Sequence, residues 1–154
     1  MSFKQRAFYV SPFMRIMVGL VLVYSGCVKI IEPVESFYSA ILSYKIIGQT
    51  IAYYTALFLP WFEFYLGIFV IFGLFERYVI KASILLFIIF ELLLLQAIIR
   101  RLEITSCGCF GPRHSNPIGV EFLLNIIWLF FLWISYKFSS KFSLDHLIEK
   151  KFGL

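Results

Sequence analysis

Long apolar runs separated by short polar stretches dominate this chain, and helical periodicity is lost inside them because nearly every position is apolar. Four runs, at about 13–31, 51–75, 78–99 and 118–138, each approach the ~20 residues that carry a helix across ~30 Å of hydrocarbon. Between the first two, Val34, Phe37, Tyr38 and Ile41 recur at helical spacing after Glu32-Pro33, with Glu35, Ser36, Ser39 and Ser43 on other faces. This pattern predicts a short amphipathic helix lying at the interface. Residues 139–154 form a tail whose Leu144, Leu147, Ile148 and Phe152 repeat that pattern beside Lys150 and Lys151. The expected fold is an all-α integral membrane protein: a four-transmembrane-helix bundle forming a single membrane domain over 1–154.

Composition agrees with the pattern. Apolar residues make up 61% of the chain, aromatic residues 20% and charged residues 15%, too few charges for an ordinary water-facing surface. The net charge of +5 does not indicate nucleic acid, because the basic residues flank apolar spans rather than forming a basic domain. With four spans, both termini share one side. Lys4, Arg6, Arg15, Arg77, Lys81, Lys137, Lys141, Lys150 and Lys151 fall on that side, against Lys29, Lys45, Arg100, Arg101 and Arg113 on the other. That asymmetry predicts cytoplasmic termini in an inner or plasma membrane. The first run is too long for a signal peptide and lacks a small-residue cleavage pattern, so it is expected to be retained.

The connection at 100–117 is long for a small bundle and contains Cys107-Gly108-Cys109-Phe110-Gly111. On the predicted topology it lies on the periplasmic or extracellular side, where disulfides persist. Two thiols one residue apart lie near the upper limit of disulfide geometry, and Gly108 eases the backbone turn. So small a ring constrains little chain, which favours passing oxidation on over bracing a fold. Arg100, Arg101, Arg113 and His114 share the loop and are positioned to stabilise thiolate. A metal reading stays open, with the two thiolates and His114 as ligands, although closed zinc sites use four ligands at wider spacing. Asn116 and Pro117 mark the start of the fourth span, as cap and first helical residue.

Three further features are chemical candidates. Cys27 lies about four residues from the outer end of the first span, either as a resolving thiol or as a small apolar filler. Glu63 and Glu91 sit about 12 and 13 residues into their spans, near the midplane, where a carboxylate must face the interior, find a partner or stay neutral. Lys29 is the natural partner for Glu63; the alternative is that it snorkels to the interface. Pro60, Glu63 and Gly67 share one helix face that should point inward. These residues read either as a proton or quinone-headgroup site or as polar packing glue.

Taken together, Ser25-Gly26 and Lys29-Ile30 in the first span, Leu59-Pro60-Trp61-Phe62-Glu63 and Gly67 in the second, and the Cys-Gly-Cys-Phe-Gly string before the fourth resemble the MauE/DoxX family of redox-associated membrane proteins. The resemblance covers nearly the whole chain and implies a four-helix membrane protein working in thiol–disulfide chemistry. MauE-like proteins are linked to maturation of a disulfide-rich periplasmic methylamine dehydrogenase, together with a thioredoxin-like partner. By that likeness Cys107 and Cys109 carry the redox pair, and Lys29 and Glu63 the intramembrane polar elements; Cys27 has no clear counterpart. The resemblance does not extend to substrate.

The functional expectation is thus a thiol–disulfide oxidoreductase exchanging electrons between an external thioredoxin-like or Cys-containing protein and a membrane carrier such as a quinone. The rivals are a non-catalytic maturation factor that binds a partner or a metal, and a small transporter using Lys29, Glu63 and Glu91.

Overall fold

The computed structural model describes residues 3–102 and 117–138, with side chains from residue 11 onward. Among these residues there are five helices and no strand: α1 (Phe3–Ile31), α2 (Val34–Ser43), α3 (Gln49–Phe72), α4 (Glu76–Ile99) and α5 (Ile118–Lys137). Ser11–Ile31 of α1 and the whole of α3, α4 and α5 are long and apolar enough to cross a bilayer. The protein is a helical integral membrane bundle. The tail at 139–154 lies outside the described residues.

Helix ends follow the local chemistry. Pro33 cannot continue α1 and instead precedes the first turn of α2, with extended backbone (ψ 136°). The second span stops at Phe72, short of the expected 75. Gly73 there turns left-handed (φ 66°), and the N–H groups of Gly73 and Leu74 both donate to the Phe69 carbonyl. After that three-residue turn α4 begins at Glu76, two residues earlier than the apolar pattern suggested. Pro117 is the N-cap of α5 rather than its first helical residue, because its ψ of 142° is extended.

Helix packing in lipid depends on close approach and polar contacts, since hydrocarbon offers no hydrophobic drive for one helix to leave it for another. The α1–α3 interface obeys this rule. A Cβ added to Gly26 would stand 2.8 Å from the Pro60 carbonyl oxygen and the Phe64 nitrogen, and one on Gly67 would stand 2.8 Å from the Gly19 oxygen. The two backbones therefore touch, and Gly19, Gly26 and Gly67 serve as close-packing positions. Apolar side chains from α1, α3, α4 and α5, among them Leu22, Leu66, Ile80, Phe87 and Leu132, fill the centre. Ser135 of α5 donates to the Ser11 carbonyl of α1, tying those two helices at the opposite end from α2. Large side chains such as Phe58, Phe62, Leu85, Leu123 and Phe130 are exposed and face lipid.

The α1–α3 register explains the position of α2. Gly19 lies opposite Gly67 and Ile71, and Gly26 lies opposite Pro60 and Phe64, so α1 ends about two turns, or ~12 Å, below the start of α3. Helix α2 occupies that step, packed against α3 with Tyr38 edge-on to Tyr53 at 6.1 Å. It is amphipathic, as expected, with Glu35 and Ser39 exposed. Its apolar face, however, covers the gap between α3 and α4 instead of simply resting on the bilayer surface. Those two helices are joined by the Gly73 turn and share little direct contact.

Candidate functional site

Glu63 is completely buried in the middle of α3, and Lys29, two residues before the end of α1, is 3% exposed. The Gly26–Pro60 approach brings the backbones close enough for the lysine to reach across. Its Nζ donates to both Glu63 carboxylate oxygens, each at 2.8 Å, and Ser25 Oγ donates to Oε2 at 3.0 Å. Lys29 is therefore paired and does not snorkel. The rings of Phe37 on α2 and Phe90 on α4 stand 4.7 and 5.4 Å from Nζ, close enough for their faces to attract the cation. Pro60, Glu63 and Gly67 are all buried, so the face identified from their spacing does point inward.

A cavity of about 290 Å³ opens beside this pair, lined by Phe37, Ile41 and Tyr44 from the α2 region, Leu59 from α3, and Ile89 and Phe90 from α4. Lys29 forms part of its wall. Desolvating an ion pair is costly unless geometry and extra hydrogen bonds compensate, and here two short bonds, a serine and two aromatic faces do so.

The remaining candidates are dispersed. Glu91 lies on α4, where Asn125 of α5 is its polar neighbour; both carboxylate oxygens are buried and neither meets hydrogen-bond geometry. It does not join Lys29 and Glu63, so the two glutamates belong to separate places in the bundle. The amide atoms of Gln96 are likewise buried without hydrogen-bond partners. Cys27 is a half-buried free thiol two residues before Lys29. Arg100 and Arg101 are exposed at the end of α4, where Arg101 takes a left-handed conformation (φ 49°) and Leu102 N–H closes onto the Ala97 carbonyl. Cys107, Cys109, Arg113 and His114 lie outside the described residues. Among those described, no three His, Cys, Asp or Glu side chains gather as a metal site requires.

The sequence reading missed a second buried ion pair, Arg15 Nη1 to Glu76 Oε1 at 3.0 Å. Arg15 had served only as a topology marker. The missed signal was a charge within the first apolar run matched by an opposite charge just after the Gly73 turn, at the same membrane level. Glu121 and Asn125, buried on α5, were also passed over.

Comparison with curated proteins and with solved structures finds no match. A family model described as methylamine utilisation protein MauE matches residues 7–137, which takes in all four spans and both members of the Lys29–Glu63 pair, and the chain therefore belongs to the MauE family.

Proposed function

We propose that this membrane protein exchanges electrons with an external thioredoxin-like or Cys-containing protein through Cys107 and Cys109, in support of that protein's maturation, and passes them to or from a membrane carrier. The family description suggests methylamine utilisation as one setting for such maturation. In the exchange, a thiolate of the pair attacks a partner disulfide, or a partner thiolate attacks theirs, giving a mixed disulfide that the second thiol of the pair resolves. Closing the Cys107–Cys109 bond releases two electrons and two protons, which a quinone takes up as quinol; the reverse flow opens the bond.

One observation carries the reading. The α4–α5 connection holding the Cys-Gly-Cys string departs from the same end of the bundle as α2, the end at which the buried ion pair and its cavity lie. External thiols and an intramembrane polar site on one side suit a relay between a partner and the bilayer. The excess of basic residues on the terminal side supports assigning the thiol-bearing side to the outside of the cytoplasm.

Trapping tests the proposal. Cys107→Ser or Cys109→Ser is expected to accumulate a mixed disulfide whose other half identifies the partner. If differential alkylation finds the thiols cytosolic, or unchanged in redox state whatever the partner, the proposal falls. The buried Lys29–Glu63 pair favours one second reading, a small transporter with these charges on its path. That reading requires both serine variants to retain function and Glu63→Gln to abolish it.

A further inference from the structure

The cavity lies between α3 and α4 at the α2 end of the bundle, bounded below by Leu59 and Leu86 and roofed by α2. Two of its lining residues, Ile46 and Ile89, are also about half exposed, so its mouth opens sideways toward lipid. Among the described residues, Lys29 is the only charged side chain in the lining. Its ammonium carries three N–H donors. Two are taken by Glu63, and the third has no acceptor in the described structure, lying instead between the faces of Phe37 and Phe90. The cavity thus offers one spare donor within an apolar wall.

Charge decides what that donor can bind. Glu63 already cancels the charge of Lys29, so an anionic headgroup would bring an uncompensated negative charge into an apolar cavity, at a large desolvation cost. An uncharged acceptor meets no such penalty. Size narrows the choice further: a cavity of about 150 Å³ holds benzene, so about 290 Å³ holds a substituted six-membered ring with the start of a tail.

We infer that the cavity binds an uncharged, lipid-soluble carbonyl compound entering from the bilayer, its oxygen accepting the third N–H of Lys29. Two sources share that chemistry: the ring of a membrane quinone and the ester carbonyl of a bilayer lipid. The quinone gives the carrier invoked above a location, and only its redox role rests on that reading; binding does not.

The test uses the full chain in nanodiscs, with decylubiquinone and methyl laurate as separate probes. Bound probe is extracted and quantified, and helical content by circular dichroism verifies each variant's fold. Decylubiquinone is expected at about one per chain and at least about tenfold weaker in Leu59→Phe or Ile89→Phe, which fill the cavity. Lys29→Met with Glu63→Leu, which removes the donor without stranding a charge, should weaken it by about tenfold as well. Retention of methyl laurate with no competition from decylubiquinone upholds the site, identifies lipid as its source and overturns the carrier role. If neither probe is retained, or both are retained equally in folded cavity-filled variants, the inference is overturned. Two further results separate the site from the redox proposal. Quinone that binds yet leaves the Cys107–Cys109 dithiol unoxidised keeps the site and sinks the relay. Equal oxidation in wild type and the cavity-filled variants keeps the relay and overturns the cavity as the place where its carrier reacts, while probe binding alone decides the site.

Discussion

Two buried ion pairs stand at opposite ends of the bundle, similar in length and different in everything around them. Arg15 and Glu76 sit beside the α3–α4 turn. Gly73 makes room for the guanidinium, since a Cβ there would lie 2.8 Å from Nη1, and Glu76 occupies the first turn of α4, where unpaired backbone N–H groups favour negative charge. Arg15 in turn lies against the carbonyl end of α3. Lys29 and Glu63 have no helix end to support the carboxylate, which is fourteen residues into α3, and they border a cavity. The first pair latches a turn. The second is held against a cost that packing alone does not require, and open space lies beside it.

Charge removal should separate the two most clearly. Lys29→Met strands Glu63 and is expected to cost about 3–5 kcal/mol, read by unfolding in detergent, along with loss of partner thiol exchange. Adding Glu63→Leu should restore stability and leave exchange defective. Arg15→Met is expected to cost less, about 2 kcal/mol, because Glu76 keeps its helix N-terminus. Here Arg15→Met with Glu76→Gln should restore both stability and exchange per folded molecule. If the two double variants behave alike, the distinction between latch and site collapses.

Smaller changes sharpen the same contrast. Gly73→Ala puts a side chain at φ 66° against the guanidinium and should lower stability by about 1 kcal/mol, measured by the same unfolding assay, with exchange unaffected. Cys27→Ala, two residues from Lys29, is expected to change stability by less than about 1 kcal/mol and to leave the mixed-disulfide pattern unchanged, as a filler would. A stalled mixed disulfide on gels would instead make Cys27 a resolving thiol and extend the site's chemistry along α1.

The spans were legible because apolar length is a one-dimensional property. The inward face of α3 was legible too, since Pro60, Glu63 and Gly67 recur at helical spacing and a midplane carboxylate must find shelter. The same expense made Lys29 a candidate partner for Glu63, but the choice between pairing and snorkelling to the interface was left to the packing of α1 on α3. Arg15 escaped because a basic residue near a span end has an ordinary explanation as a topology marker. Glu91 was grouped with Glu63 on depth alone, and depth says nothing about which helix a side chain faces.

By itself, the amino-acid order determined that the chain lives in lipid, how many times it can cross, where its thiols fall along the chain, and that Glu63 must be sheltered, paired or neutral. Only tertiary packing decided that α1 stops about two turns short of α3, that α2 roofs the gap so formed, and that Lys29 keeps one donor facing a cavity. The physical reason is that local pattern fixes which surfaces must be hidden, whereas helix register, set here by three glycines that let two backbones touch, fixes what each hidden surface meets.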